Sequence, residues 1–151
     1  MDVGEWELLG RVALAAVLGL SIGLDRELKA RPAGLRTHAL VALGAAGFMA
    51  ASLLISRELV DAASGITLDQ SRIAAGVVAG VGFLGAGAII RTRGQVHGLT
   101  TAAGIWVTAA IGILAGTGFY VGAVGITVVT VVTQVVVLRL ASAIELRTPD
   151  S

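Results

Sequence analysis

The chain has 151 residues, of which 56% are hydrophobic and 14% charged, and its mean hydropathy is +0.90. Soluble domains carry about 25% charged residues, so this composition excludes an ordinary soluble protein and predicts one domain with several membrane spans. A net charge of +1 gives no electrostatic basis for binding nucleic acid. The lack of cysteine excludes a disulfide framework, a thiolate metal site and a cysteine nucleophile.

Five apolar stretches predict an all-α bundle of five transmembrane helices. They cover residues 6–24, 38–55, 73–90, 101–115 and 119–138. A helix needs about 20 residues to cross the hydrocarbon core of a bilayer. The fourth stretch is short, and only GTG separates it from the fifth. This predicts a tight hairpin between two spans; the alternative is one long run that enters the membrane and returns. The N-terminus is acidic where a signal peptide would be basic, so the first stretch is expected to be a retained span.

The distribution of Lys and Arg predicts the orientation, because these residues accumulate in cytoplasmic loops. Most of them fall in the first loop, the third loop and the C-terminal segment: Arg26, Lys29, Arg31, Arg36, Arg91, Arg93, Arg139 and Arg147. The opposite side of a five-span chain holds Arg57 and Arg72. The N-terminus is therefore expected outside and the C-terminus in the cytoplasm.

A weak internal similarity links residues 33–46 with residues 97–110, which share Gly, Leu, Thr and Ala positions. Both segments enter a span from the predicted cytoplasmic side. We therefore expect spans 1–2 and 3–4 to be parallel repeats with span 5 added. Chance similarity between two segments rich in Ala and Gly is the alternative.

The third stretch contains GVGFLG, which has the glycine spacing of a dinucleotide-binding turn. That turn needs a preceding strand and an acidic residue about 20 positions further on. No Asp or Glu occurs between Asp69 and Glu145, and the preceding residues are apolar. The glycines are therefore interpreted as a surface that lets another helix come close. They are Gly76, Gly80, Gly82, Gly85 and Gly87.

The most polar part of the chain is the first loop. Asp25 and Lys29 have the i,i+4 spacing at which side chains pair on a helix that continues past the membrane. Glu27 and Arg31 repeat this spacing. Pro32 is expected to take Arg31 out of the helical conformation.

This loop has two interpretations. It is either an ordinary solvated loop that fixes topology, with Thr37 capping the second span, or a polar cluster at the cytoplasmic mouth of the bundle. The cluster would contain Asp25, Arg26, Glu27 and Arg36. Carboxylates so close to a bilayer are costly unless they are paired.

Other polar residues lie near the ends of the predicted spans. Asp69 is expected to cap the third span, and Arg72, one turn further on, is within reach of an ion pair. The alternative is a role in sensing a ligand outside the cell. Arg11 either extends along span 1 to the outer surface or turns inward to Asp69 or Asp61.

Thr100 and Thr101 are expected to serve as a helix cap and as a hydroxyl bonded back to its own helix. His38 and His97 have no carboxylate partners at ligand spacing, so neither a metal site nor a cofactor is expected. The serines lie in no nucleophile motif, and an enzyme is not expected either.

Three segments resemble the signature blocks of the MgtC/SapB family of bacterial inner-membrane proteins. They are RPAGLRTHALVALGAAGF, DQSRIAAGVVAGVGFLGAGAIIR and VHGLTTAAGIWVTAAIGILAGTGFY. The resemblance implies a multi-span protein of the inner membrane, linked to growth at low magnesium and to virulence. It also implies a regulator that acts on other membrane proteins, including the rotary ATP synthase. Longer members continue into a soluble cytoplasmic domain, so the resemblance covers only the transmembrane part.

The resemblance also implies which polar residues form a functional rim. They are Asp25, Arg26, Glu27, Arg31, Arg36, Thr37, Asp69, Arg72, Arg91, Thr100 and Thr101. The family often has E-R-E where this chain has Asp25-Arg26-Glu27. The leading hypothesis is a non-enzymatic regulator, as a homodimer in the lipid bilayer, and the alternative is a transporter or channel for Mg²⁺ or another small ion.

Overall fold

The computed structural model of the chain describes residues 4–62, 69–92 and 94–145, and almost all of them are helical. The helices are α1 Glu5–Leu28, α2 Leu35–Ala62, α3 Ser71–Gly87, α4 Leu99–Thr117 and α5 Tyr120–Glu145. Each lies on one of the five predicted stretches, so the prediction of five helices is confirmed. Arg93 and Arg147, which contributed to the predicted orientation, lie outside the described residues.

Four helices are long and apolar enough to cross a membrane. They are α1, the Leu35–Ser56 part of α2, α4, and the Tyr120–Val137 part of α5. α3 is also apolar but has only 17 residues, or about 26 Å of helix. It is therefore shorter than the third span predicted from the sequence.

α3 ends early because a hairpin that the sequence analysis missed follows it. The strands β1 Ile90–Thr92 and β2 Gln95–His97 pair antiparallel, with Ile90 opposite His97. Gly94 stands in the turn with φ of +86°, a left-handed conformation that glycine adopts without steric cost. The strands are three residues each, too short for alternation to distinguish them from a loop.

The core of the bundle is formed by α1, α2 and α4, and glycines of α1 and α4 bring both helices close to α2. A Cβ at Gly19 of α1 would lie 2.5 Å from the carbonyl oxygen of His38, and one at Gly23 would lie 2.7 Å from that of Gly34. Only glycine permits this approach at either position. Since the residue numbers run in opposite directions, α1 and α2 are antiparallel.

α4 approaches the same side of α2 one level further along. A Cβ at Gly112 would lie 2.4 Å from the carbonyl oxygen of Ala42, and one at Gly116 would lie 2.8 Å from that of Ala46. α2 and α4 therefore run parallel. The contacted residues recur at four-residue intervals and form one ridge that starts just before α2 and continues along it: Gly34, His38, Ala42 and Ala46.

α5 packs antiparallel to α4 after a short connection. Gly118, with φ of +88°, caps α4, and α5 begins at Tyr120. Gly122 near the start of α5 lies against Leu114 near the end of α4. The predicted tight hairpin between two separate helices is confirmed.

α3 lies at the periphery, and most of its glycines do not contact another helix of this chain. Its buried residues are Val81 and Gly85, and a Cβ at Gly85 would make ordinary contact with Ala102 of α4 at 3.7 Å. A Cβ at the four other glycines of the predicted set would meet nothing within 4 Å: Gly76, Gly80, Gly82 and Gly87. Within the chain the close helix contacts are made by glycines of α1 and α4 instead.

The bundle has two ends, which we name after a buried arginine of α1 at each. At the Arg26 end α1 finishes and α2 and α4 begin; at the Arg11 end α1 begins and α4 finishes. α3 runs from the Arg11 end, where it begins, to the Arg26 end, since Gly85 contacts Ala102. The membrane orientation and the parallel repeat stay predictions.

Candidate functional site

The candidate site is a buried polar cluster at the Arg26 end, where the α1–α2 connection meets the first turn of α4. Arg26 is only 3% exposed. Its Nε donates to the carbonyl oxygens of Pro32 at 3.1 Å and Ala33 at 3.0 Å. Its Nη2 donates to the Pro32 oxygen at 2.7 Å and to the hydroxyl of Thr101. The fork of one guanidinium therefore holds the connection and α4 together.

Glu27 stabilises the start of α2 from the end of α1. Its carboxylate accepts a hydrogen bond from the backbone N–H of Leu35 at 3.1 Å, one of the N–H groups that α2 itself leaves without a partner. The prediction that Thr37 caps α2 is wrong, because α2 begins at Leu35 and Thr37 lies inside its first turn. A carboxylate near a helix N-terminus is also favoured by the helix dipole.

The two predicted ion pairs of the first loop have different outcomes. Lys29 donates to Asp25, so that pair is confirmed. The Glu27–Arg31 pair is not formed among the described residues, because α1 ends at Leu28 and Arg31 has left the helix. The Glu27 carboxylate contacts Leu35 instead.

His38 and Gln134 extend the cluster toward α5. His38 is fully buried, and its Nδ1 lies 3.1 Å from the carbonyl oxygen of Gly34. A Cβ at Gly104 of α4 would lie 3.3 Å from His38 Nε2 and 3.9 Å from Gln134 Nε2. In the part of the chain that the structure describes, neither His38 Nε2 nor Gln134 Oε1 has a hydrogen-bond partner. Polar side chains of α2 and α5 thus both lie next to Gly104.

Arg11 joins three elements at the opposite end. Its guanidinium is buried and pairs with Glu7 at 2.6 Å, donates to the Gly116 oxygen at 3.2 Å, and donates to the Tyr120 hydroxyl at 3.2 Å. The alternative in which it turns inward is therefore correct, but with Glu7 as the carboxylate partner. Asp69 is engaged elsewhere, and the side chain of Asp61 lies outside the described residues.

Asp69 and Arg72 stand at the Arg11 end, about 20 Å along α3 from Gly85. The Asp69 carboxylate accepts hydrogen bonds from the N–H of Ser71 at 3.0 Å and from its hydroxyl at 2.5 Å. These bonds hold the pKa of Asp69 below its ordinary value. The N-cap of α3 is Gln70, so Asp69 stands one residue before the cap position predicted for it and binds the first helical residue, Ser71. The predicted ion pair with Arg72 is not formed among the described residues, because Asp69 is turned toward Ser71.

The predicted rim is therefore not one cluster. Arg26, Glu27 and Thr101 are brought together with the loop backbone, whereas Asp69 and Arg72 lie at the other end. The remaining members are on the surface of the Arg26 end, either exposed or half-buried: Asp25, Arg31, Arg36, Thr37, Arg91 and Thr100. Thr101 receives a hydrogen bond from Arg26, and Gly98, not a threonine, stands at the N-cap of α4.

Sequence reasoning missed Gln134 and the packing glycines of α1 and α4. The signal for the glycines was present, because Gly19 and Gly23, like Gly112 and Gly116, have the GxxxG spacing within an apolar stretch. Gln134 is the one amide side chain of the fifth stretch, and a polar residue inside a span generally faces the bundle.

Comparison with known proteins identifies the family to which the chain belongs. A model of the MgtC family matches residues 12–143. The YhiD protein of Escherichia coli strain K12, named provisionally as a magnesium transporter, is 47% identical over 114 residues, or 76% of this chain and 53% of YhiD. The MgtC protein of Salmonella typhimurium strain LT2 is 41% identical over 130 residues, or 86% of this chain and 52% of MgtC.

A protein of Haemophilus influenzae is 42% identical over 126 residues, or 83% of this chain and 53% of that protein. The chain therefore spans about half the length of each of these relatives. No solved structure gives a significant match. The family match begins within α1 and ends within α5. It therefore includes Arg26 and its partners but neither Glu7 nor Arg11. The chain belongs to the MgtC family and is a multi-pass membrane protein.

Proposed function

We propose that the chain is a non-enzymatic regulator that binds another integral membrane protein through the outer face of α3. This face is a line of small residues: Ala75, Ala79, Gly82 and Ala86. Their spacing of four, three and four positions places them on one side of the helix. All four are exposed, and a Cβ at Gly82 would meet no atom within 4 Å. Small residues allow the close backbone approach that drives helix association in lipid.

The loose packing of α3 is the observation that carries the proposal. An apolar helix that buries only Val81 and Gly85 against its own chain offers the rest of its surface to lipid or to another protein. The Arg26 cluster supports the same proposal, because its role is to hold the bundle together as a scaffold. Its buried charge is hydrogen-bonded to the chain itself, so it stabilises the end of the bundle from which α4 and the β1–β2 hairpin emerge.

The resemblance to the family suggests the rotary ATP synthase as the first partner to test and growth at low magnesium as the setting. A homodimer would use the same face of α3 in two copies. The chain has no cysteine, so single cysteines can be placed at will. Ala79→Cys on the outer face and Gly125→Cys on exposed α5 would each carry a photoactivated crosslinker in bacterial membranes.

The proposal expects Ala79→Cys, and not Gly125→Cys, to crosslink to a subunit of the synthase or of another identified membrane protein. Gly82→Leu should abolish that crosslink while leaving the helix content unchanged. Equal crosslinking from both positions, or crosslinking that survives Gly82→Leu, would contradict the proposed surface.

A second candidate is transport of Mg²⁺, which the name of YhiD favours. Magnesium prefers carboxylate and water oxygens in octahedral geometry. The buried charge at the Arg26 end is a guanidinium, which repels a divalent cation. The rim carboxylates Asp25 and Glu27 are engaged with Lys29 and with the Leu35 N–H. Saturable Mg²⁺ uptake by proteoliposomes, abolished by Glu27→Gln, would establish the transport function instead.

A further inference from the structure

A long apolar groove lies between α2 and α3, on a different side of α3 from its outer face. It has a volume of about 550 Å³, within the range of about 300–1,000 Å³ that is common for ligand sites. Its walls are side chains of both helices, among them Leu40, Phe48, Ile73, Val77 and Leu84.

Glycines keep the groove open along its length. Gly44 of α2 and Gly76 and Gly80 of α3 all line it, and a Cβ at any of them would meet nothing within 4 Å. From Arg72 to Leu84 the groove follows α3 for about 18 Å. The hydrocarbon core of a bilayer is about 30 Å thick, so the acyl chains of one leaflet occupy about 15 Å. The groove therefore has the length of a single lipid chain.

One end of the groove is cationic. Arg72, in the first turn of α3, is exposed and lines the groove beside Ile73. The nearby Asp69 carboxylate is held by the N–H and hydroxyl of Ser71. Among the residues whose side chains are described, no carboxylate lies within ion-pair distance of Arg72. A guanidinium at the end of an apolar channel matches a phosphate at the end of an acyl chain.

We infer that this groove binds an anionic phospholipid, with one acyl chain between α2 and α3 and the head-group phosphate on Arg72. A second copy of the chain is a poorer occupant. Between Asp69 and Glu145 the chain has no acidic residue, so α3 and α4 of a second copy would bring no carboxylate to face Arg72, and Asp69 just before α3 is held by Ser71. This site is independent of the regulatory partner, because the outer face of α3 is not part of the groove.

Native mass spectrometry of the full chain in detergent tests the site. The purified protein is titrated with dioleoylphosphatidylglycerol or with dioleoylphosphatidylcholine, which has the same chains and no net charge. We expect tighter binding of the glycerol lipid. Arg72→Gln should weaken it about tenfold, the loss of one charge-assisted contact, to the level of the choline lipid. Arg139→Gln removes an exposed cation of α5, away from the groove, and should change nothing.

A second variant tests the acyl-chain part of the site. Gly80→Leu fills the groove without meeting an existing atom at its Cβ, so the bundle should fold while both lipids lose affinity. Equal binding of the two lipids by the unmodified chain would overturn the inference. So would unchanged binding by Arg72→Gln, or a dimer that Gly80→Leu converts to a monomer without any change in lipid binding.

Discussion

Arg26 at the end of α1 donates a hydrogen bond to the hydroxyl of Thr101 in the first turn of α4, across 75 positions of sequence. Arg11 makes the corresponding link at the other end of α1, to the oxygen of Gly116 in the last turn of α4. The two arginines are about 22 Å apart along α1. One helix thus holds both ends of α4 through buried guanidinium groups.

Thr101→Val should destabilise the bundle because it removes an acceptor of the buried Arg26 guanidinium while keeping the side-chain shape. A buried donor left with fewer partners costs about 1–3 kcal/mol. Thermal unfolding in detergent measures the loss. The control is Thr100→Val, at the exposed neighbouring position, which should change the midpoint little. Equal midpoints for the two variants would show that the Arg26–Thr101 bond contributes nothing.

Gly112→Ala should weaken the contact between α4 and α2. Its Cβ would lie 2.4 Å from the Ala42 oxygen and 2.7 Å from the Ala45 Cβ, so the helices must move apart. Overpacking of this kind costs about 1–3 kcal/mol. Gly125→Ala is the matched control, because its Cβ would meet nothing within 4 Å and alanine favours a helix. The account fails here if Gly112→Ala unfolds at or above the temperature of Gly125→Ala.

Glu7→Gln should lower stability by about 0.5–1 kcal/mol, because it removes the charge that pairs with Arg11 at a partly exposed position. Glu5→Gln removes a charge from the same first turn of α1, so it controls for the helix dipole. Urea unfolding of both variants measures the difference. A loss from Glu5→Gln as large as that from Glu7→Gln would assign the effect to the dipole and not to Arg11.

Asp69 should titrate below its ordinary pKa of about 3.9, because Ser71 donates two hydrogen bonds to its charged form. Its stabilisation of the start of α3 is therefore complete above about pH 4 and is lost as the pH falls through the lowered pKa. An NMR titration of the Asp69 carboxyl carbon measures the midpoint. Ser71→Ala should move the midpoint up toward the ordinary value; an unchanged midpoint would contradict the role of the hydroxyl bond.

The positions of the five helices could be predicted because hydropathy reports which residues lie in the apolar region. It does not report which side of a helix faces another helix. Gly80 and Gly112 have the same apolar surroundings in sequence, yet the first is open and the second touches α2. The difference arises from which helices are neighbours, which no single stretch contains.

The candidate site could be predicted only in part, because contacts between helices are again contained in no single stretch of sequence. Arg26 and Glu27 were recognised as polar residues close to a bilayer, but their partners Thr101 and Leu35 depend on how three helix ends meet. The sequence does not indicate the position of His38, which is a fully buried member of the α2 ridge. The β1–β2 hairpin was missed because three-residue strands carry too little periodicity.

The most direct test of the proposed regulation is the rate of ATP-driven proton pumping by a bacterial rotary ATP synthase in vesicles that also contain this chain. The account predicts that the unmodified chain lowers the pumping rate, that Gly82→Leu on the outer face of α3 restores it, and that Gly125→Leu on α5 does not. A pumping rate that is the same with and without the chain, in vesicles where the chain also supports saturable Mg²⁺ uptake, would contradict the account in favour of transport.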